Sequence, residues 1–209
     1  MKRKFGRYYI ADNRDKLLAR PRRKSKRNSR HWSLGPVLDQ LDTSACVGFT
    51  GAAYFAASPI KQRVCDPHGL YVFAKFADEW EGEDYEGTSV RGLLKVCHRA
   101  GWISEYRFTI DIEVMVQHLL EKGPVILGSD WKSSMFEPDD QGFIHASGGN
   151  VGGHAYLAYG VNTSRGYVSI RNSWGADWGS NGTAKLSLDD LSKLLAADGE
   201  CAVATEVRL

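Results

Sequence analysis

The stretch IRNSWGADWGSNGTAKL, residues 170–186, decides the fold. It joins two segments with the β-rich composition of strands, 166–173 and 183–188, through a loop rich in glycine and tryptophan. Asn172 stands at the end of the first of these segments, and its side-chain oxygen is able to accept an imidazole N–H. Because such a bond fixes the tautomer of a histidine, the stretch predicts one end of a catalytic arrangement.

Two other segments supply the partners that this asparagine needs. His154 follows a glycine-rich loop at the start of another predicted strand, and Cys46 lies in an apolar helix predicted over 43–57, with Thr43 or Ser44 as its cap. The first turn of that helix carries no carboxylate, so the positive end of its dipole faces the sulfur. A nearby imidazolium lowers the pKa of the thiol further.

A tetrahedral intermediate needs hydrogen-bond donors for its oxyanion. Gln40 lies six residues before Cys46, and its side-chain amide is able to act beside the Cys46 backbone N–H. We therefore predict Cys46 as nucleophile, His154 as proton partner, Asn172 as the group that orients the histidine and Gln40 as oxyanion donor, the arrangement of papain-like proteases.

Predicted helices precede predicted strands along the chain. The helices cover 43–57, 70–80, 89–100 and 111–121, and the strands cover 125–131, 155–161, 166–173, 183–188 and 201–207. This order is typical of an α+β fold with two lobes. We divide the chain into a basic arm at 1–30, predicted to be flexible, and a domain at 31–209, whose helical lobe runs from about 31 to 115 and β-rich lobe from about 116 to 209.

Four segments together resemble the papain family of cysteine peptidases. They are PVLDQ followed by SAC, EKGPVIL, GNVGGHAYLAYGV and the asparagine stretch, which fall in the family's order over about residues 32–190. The resemblance implies a papain-like two-lobe fold, with a central buried helix in the helical lobe, an antiparallel β-rich lobe and a cleft between them. It also implies hydrolysis of peptide bonds in a polypeptide substrate, with no cofactor and no metal.

The resemblance also implies roles for residues along the substrate cleft. Trp174 would cover the Asn–His hydrogen bond, Trp178 would lie on the leaving-group side, and Glu86-Gly87 would replace a glycine pair that borders the substrate. Gly152 and Ala155 would shape the pocket for the side chain two residues before the cut. Gly153 replaces the family's aspartate before the histidine, and Thr43 replaces its cysteine three residues before the nucleophile.

Charge is divided sharply between the arm and the rest of the chain. Residues 1–30 carry 13 Lys and Arg against 2 Asp, a net charge of +11, while the remaining residues carry 14 against 23 Asp and Glu, a net charge of −9. The acidic stretch 78–86 is a candidate site for substrates with basic residues, or for the arm itself as a short intramolecular inhibitor. We expect the arm to contact this chain's own acidic surface or another acidic partner rather than nucleic acid, because residues 20–30 lack interleaved aromatics.

Composition also bears on the compartment. The basic N-terminus has no apolar stretch behind it, and no segment has the length of a membrane span, so we expect a cytoplasmic protein of bacterial or phage type. Cys65, Cys97 and Cys201 show no metal-binding spacing and are interpreted as reduced, buried or incidental thiols.

Two alternatives to a peptidase stay open at the level of sequence. One is a catalytically silent papain-like module used for binding or assembly. The other is a related acyl-transfer enzyme, such as a cell-wall amidase or a transglutaminase-like protein. The presence of all four predicted catalytic residues argues against the first, and the spacing of Gln40 argues against the second.

Overall fold

The structure, a computed structural model, describes residues 3–9, 11–13, 15–62, 65–78, 80 and 85–207. The helices are α1 (Cys46–Ala56), α2 (Pro67–Ala77), α3 (Val90–Arg99), α4 (Ile112–Glu121) and α5 (Leu188–Ala196), with a 3₁₀ turn at Ser133–Met135. The strands are β1 (Arg7–Tyr8), β2 (Ser29–His31), β3 (Thr88–Ser89), β4 (Ile103–Thr109), β5 (Val125–Lys132), β6 (Phe143–Ile144), β7 (Asn150–Asn162), β8 (Tyr167–Arg171), β9 (Thr183–Ser187) and β10 (Glu200–Val207). The predicted α+β class is confirmed.

Helix α1 is the central buried helix. Small residues let its neighbours approach closely, since a Cβ on Gly48 would lie 2.2 Å from the Pro67 carbonyl oxygen, at the start of α2. The predicted cap is wrong, because Ala45 takes that position and no side chain caps the helix. The Thr43 hydroxyl instead donates to the Gln40 carbonyl, and the Ser44 hydroxyl donates to Glu86.

The other helices begin at side-chain caps. Asp66, Ser89, Asp111 and Ser187 accept backbone N–H groups in the first turns of α2, α3, α4 and α5. Helix α5 was not predicted, although Ser187 and the acidic residues Asp189 and Asp190 form a typical helix start. Strand β4 was also missed.

One large sheet separates the two cores of the molecule. Its strand order is β4-β10-β5-β7-β8-β9-β6, with β2 paired to β7, and the pairing is antiparallel except between β6 and β9. Alternate residues of β7 face opposite cores: Ala155 and Leu157 pack with α1, α2 and α3, whereas Tyr156 and Ala158 pack with α4 and α5. The catalytic histidine candidate therefore lies on a strand that is buried on both faces.

The described part of the basic arm lies along the body. Strand β1 pairs in parallel with β3, Leu17 forms a bridge with Phe108, and β2 joins the large sheet beside β7. Buried Arg91 binds Asp15 of the arm, with Nε 3.0 Å from Oδ1. These contacts give the arm a defined path across the surface, and the flexibility predicted for it stays a prediction.

Candidate active site

A buried histidine–asparagine pair forms the centre of the site. His154 Nε2 lies 2.8 Å from Asn172 Oδ1, and both residues are buried. The backbone N–H of Ser173 donates to the same Oδ1 at 2.8 Å, so that atom is an acceptor and His154 Nε2 carries the proton. The other ring nitrogen, Nδ1, has no hydrogen-bond partner among the described residues and is left as the basic atom.

Cys46 lies beside the strand that carries His154, in the same core as Ala155. It is the first residue of α1, is fully buried, and has no acidic residue beside it in the first helical turn. The backbone of Ala155, the residue after His154, lies close enough to the Cys46 sulfur to favour its thiolate, as do the backbones of Gly6 and Val47. The fold thus brings the helix start and the histidine strand together.

The acid–base state of this site differs from the sequence expectation. Burial raises the pKa of the Cys46 thiol to about 11, although the surrounding N–H groups oppose the shift. Burial lowers the pKa of His154 to about 4, and the bond to Asn172 only partly opposes this. Both groups are therefore neutral near pH 7 in this conformation. The helix dipole and a nearby imidazolium were expected to lower the pKa of the thiol, and dehydration of the site outweighs those effects here.

Gln40 is held from both ends of its amide. Its Oε1 accepts from the Ser173 hydroxyl at 2.7 Å, while its Nε2 donates to the carbonyl oxygens of Thr43 at 2.7 Å and Lys4 at 3.2 Å. The side-chain amide of Gln40, predicted to bind the oxyanion, therefore donates to the carbonyl of Lys4 in the basic arm.

Residues 3–9 of the arm, hereafter the cleft segment, cross the site. The Gly6 N–H donates to the Gly153 carbonyl at 3.2 Å, and the Gly6 carbonyl accepts from the Thr88 N–H at 2.8 Å. The Phe5 ring packs edge-on against His154, with the ring centres 5.7 Å apart, and against Trp174. The cleft segment thus covers the catalytic candidates, and nothing in the sequence pattern of Phe5 or Gly6 indicated it.

Glu86 and Gly87, predicted to border the substrate, border the cleft segment. Glu86 accepts from the Lys4 ammonium at 2.8 Å and from the Ser44 hydroxyl at 3.0 Å. Gly87 has φ +107°, and a Cβ there would lie 2.6 Å from the Gly6 carbonyl oxygen. The Gly87 N–H donates to the Tyr71 hydroxyl, and the N–H of the next residue, Thr88, donates to the Gly6 carbonyl of the segment.

The glycines before the histidine make room for the same segment. A Cβ on Gly152 would lie 2.7 Å from the Phe5 Cβ, and one on Gly153 would lie 2.1 Å from the Arg7 carbonyl oxygen. Ala155 is buried and faces α1. Gly152 and Gly153 therefore lie against the cleft segment.

Tryptophans enclose the histidine from the other side. The Trp174 ring lies 5.1 Å from that of His154, while Trp178 packs against Trp174 and donates its N–H to the Phe136 carbonyl at 2.7 Å. Trp131, which the sequence analysis missed, is fully buried and its ring lies 4.9 Å from His154. Its strand position opposite Gly152 gives it this contact.

A buried ion pair was also missed. Arg7 Nε donates to Glu200 Oε1 at 2.8 Å, and the two side chains are only 2% and 6% exposed. The two residues are far apart in sequence, and no motif marks either.

Of the acidic stretch 78–86, residues 79 and 81–84 lie outside the described residues. Glu86 of this stretch does bind the arm, through Lys4.

The described ranges lack two other kinds of site. They contain no group of three His, Cys, Asp or Glu side chains arranged to hold a metal ion. No helix in the same ranges has the length and apolar character needed to cross a membrane. The four cysteines carry no disulfide bonds.

Comparison with known proteins identifies the family. The model of the papain family cysteine proteases matches residues 83–208, more than half of the chain, and so includes His154 and Asn172. The chain therefore belongs to the papain family of cysteine proteases, a class of hydrolases, as the sequence resemblance predicted. Cys46 and Gln40 precede the matched range.

Sequence relatives are distant. Cysteine protease 1 of Oryza sativa subsp. japonica is 28% identical over 130 residues, which cover 58% of this chain and 26% of the rice protein. Cysteine proteinase 3 of Entamoeba histolytica is 31% identical over 126 residues, 55% of this chain and 41% of that protein. The chain thus spans less than half the length of these curated relatives.

Solved structures confirm the papain-like two-lobe fold. Xylellain, a cysteine protease from Xylella fastidiosa, superposes with a TM-score of 0.81 at 19% identity, covering 100% of this chain and 99% of xylellain. The Carica candamarcensis cysteine protease CMS1MS2 superposes with a TM-score of 0.68 at 15% identity, covering 87% of this chain and 100% of the plant enzyme. At these identities the likeness concerns the fold.

Proposed function

We propose that this protein is a thiol-dependent peptidase that cleaves peptide bonds through an acyl-enzyme on Cys46. The main support is the buried 2.8 Å contact between His154 Nε2 and Asn172 Oδ1, which leaves Nδ1 unpartnered among the described residues. The Cys46 sulfur lies beside the N–H of Ala155, the next residue along the chain. A nucleophile, a base and an orienting group are thus assembled from α1, β7 and the end of β8.

Each proton transfer of the reaction would pass through one ring nitrogen, His154 Nδ1. His154 Nδ1 takes the Cys46 proton, the sulfur attacks the substrate carbonyl carbon, and Gln40 Nε2 with the Cys46 N–H binds the resulting oxyanion. Nδ1–H then protonates the leaving amine as the C–N bond breaks, leaving a thioester. In the second half, Nδ1 takes a proton from water, whose oxygen attacks the thioester and releases the acid and the thiol.

We further propose that the cleft segment keeps the peptidase in a resting state. Its Lys4 carbonyl occupies the Gln40 amide, its Gly6 covers the sulfur, and its Phe5 ring packs on His154. A dehydrated thiol with a pKa of about 11 is a poor nucleophile near pH 7. Departure of the segment would rehydrate the pair and favour its ionised form.

The direction of the cleft segment explains why the peptidase would not cleave it. Phe5 lies on the side of Trp174, next to the tryptophan that the family resemblance assigns to the leaving group, and Arg7 lies on the opposite side, against Glu200. In a substrate, the residues on the leaving-group side are C-terminal to the cut, whereas Phe5 is N-terminal to Arg7. The segment would therefore run against the direction of a substrate.

Labelling of the full chain tests this function. Reduced wild type, His154→Ala and Phe5→Ala proteins are each incubated with an epoxysuccinyl affinity label and followed by intact mass. We expect a single adduct on Cys46 in the wild type, formed at a faster rate in Phe5→Ala and not formed in His154→Ala. We also expect the unlabelled protein to cleave peptides of a peptide library. If the folded Phe5→Ala protein neither labels nor cleaves, the protein is a silent binding module.

A further inference from the structure

Residues 18–27 of the arm, hereafter the arch, border a cavity on the outer side of α4. The cavity has a volume of about 840 Å³, which is within the range of small-molecule sites. The arch forms one of its sides, and α4 forms the other with Val114, Gln117, His118, Glu121 and Lys122. None of these residues belongs to the candidate active site, so the cavity is a separate feature of the molecule.

The arch binds only one face of α4 along the cavity. Its partners there are spaced four residues apart and therefore share a face of the helix. They are Glu113, 3.4 Å from the Lys24 ammonium, Gln117, whose Oε1 accepts the Ser25 N–H at 2.6 Å, and Glu121, 3.2 Å from the Arg27 guanidinium. The neighbouring face has the same spacing and consists of Val114, His118 and Lys122. It lines the cavity without holding the arch.

Two polar side chains on this neighbouring face lack partners. Neither the His118 imidazole nor the Lys122 ammonium forms a hydrogen bond or an ion pair with any residue that the structure describes. Burial lowers the pKa of His118 to about 4, and the charge of Lys122 adds to this shift. The imidazole is therefore neutral near pH 7 and offers one N–H and one lone pair to a ligand.

Positive charge dominates the cavity. Seven cationic side chains line it, which are Lys122 and, from the arch, Arg20, Arg22, Arg23, Lys24, Lys26 and Arg27. Three of them form ion pairs with carboxylates of Asp111, Glu113 and Glu121. Seven positive charges against three negative ones leave a net charge of +4. The cations without a carboxylate partner among the described residues are Arg22, Arg23, Lys26 and Lys122.

The size and charge of the cavity define the ligand that fits it. Unpaired cations gathered within one Debye length repel one another, and an anion between them removes this repulsion. Guanidinium groups bind the oxygens of carboxylates and phosphates through paired hydrogen bonds. A small anion with three or four negative charges therefore matches the net charge of +4.

We propose that this cavity binds a small polyvalent anion of the carboxylate or phosphate type. Lys122 holds it from α4, the His118 imidazole donates a neutral hydrogen bond, and the unpaired cations of the arch close over it. Because the ligand contacts both the arch and α4, it clamps the arm to the body. The site does not depend on the proposed peptidase function.

Calorimetric titration of the full chain tests the site. Citrate and tripolyphosphate, which distinguish a carboxylate from a phosphate ligand, are titrated at an ionic strength of about 0.02 M, where screening is weak. We expect one of them to bind with one ligand per chain. Lys122→Gln should weaken it about fivefold, and the double variant Arg22→Gln, Arg23→Gln at least about tenfold. Arg165→Gln, an exposed arginine outside the cavity, should bind as wild type does.

Three results of this titration would overturn the proposal. One is the absence of binding by either anion. Another is binding that Lys122→Gln leaves unchanged, because the anion would then use the arm alone and not the cavity. The third is binding of singly charged acetate as tightly as citrate, which would mean general screening of surface charge.

Protection from trypsin locates the ligand independently. Arg22, Arg23 and Lys26 are exposed and provide cleavage sites in the arch of the full-length protein. A saturating concentration of the binding anion should slow cleavage within the arch at least fivefold in wild type, whereas the same concentration should protect Lys122→Gln less. Cleavage of a small synthetic substrate by trypsin, measured with the same anion, controls for inhibition of the protease. Unchanged cleavage of the arch with the anion bound would contradict the clamp.

Discussion

Replacement of Gly6 by alanine is expected to open the catalytic cleft. An added Cβ would lie 1.8 Å from the Ser44 carbonyl oxygen, far below the 3.0 Å that real Cβ contacts reach, and that oxygen is backbone next to the start of α1. The segment must therefore move by more than about 1 Å. Such a shift breaks the Gly6 bonds to Gly153 and Thr88. Two lost hydrogen bonds at about 1 kcal/mol each, plus overpacking of about 1 kcal/mol or more, favour the open form by roughly 3 kcal/mol.

Labelling kinetics measure this shift directly. Because the cleft segment covers the sulfur, the second-order rate of Cys46 alkylation by iodoacetamide reports the open fraction, and 3 kcal/mol corresponds to a roughly 100-fold faster reaction. Gly149→Ala is the matched control, because a Cβ there meets nothing within 4 Å, and it should label at the wild-type rate. A folded Gly6→Ala protein that labels as slowly as wild type would refute the occupied cleft.

Three further results are expected. Replacing Asn172 by alanine removes the acceptor 2.8 Å from His154 Nε2 and should lower kcat of the opened enzyme about 100-fold, which steady-state kinetics on the Gly6→Ala background would show and an unchanged kcat would contradict. The His154 pKa is lowered from 6.5 to about 4 in the folded state, so its stabilising contribution is present above pH 6.5 and is lost as the pH falls towards 4. Urea denaturation should therefore show that His154→Leu abolishes about 3 kcal/mol of the decline in unfolding free energy between pH 7 and 4, and identical slopes would exclude a buried neutral imidazole. Finally, the arm binds α4 through exposed ion pairs such as Arg20–Asp111 and Arg27–Glu121, and salt screens such pairs. Because exposed pairs contribute little free energy, 1 M NaCl should speed labelling of wild-type Cys46 by less than about tenfold. A larger effect would mean that surface charge holds the segment in the cleft.

Much of the candidate site was predictable because its chemistry is local in sequence. Asn172 with Trp174, His154 after its glycines, and Cys46 at a helix start each carry a short pattern. The structure places the first two within contact distance and buries all three. Gln40 was predictable from its spacing to Cys46. These patterns can be recognised in the sequence because each one places a side chain at a defined end of a helix or strand.

Other features had no local pattern to carry them. Helix α5 begins at Leu188, directly after the last residue of β9, so the strand pattern of residues 183–188 hid the start of the helix. Strand β4 has a mixed composition and gains its place only by pairing with β10, almost a hundred residues later. Strand formation of this kind depends on a distant partner rather than on intrinsic preference.

The sequence by itself determined the α+β class and the family resemblance, and it singled out Cys46, His154 and Asn172 as catalytic candidates, because periodicity and motif spacing are written along the chain. It also determined that the arm is basic and the body acidic. Only the tertiary structure decided where the arm goes, since the contact of Arg7 with Glu200 joins residues at opposite ends of the chain. It also decided the protonation of the site, because the shifted pKa values of Cys46 and His154 arise from burial, and burial is a property of the packed molecule.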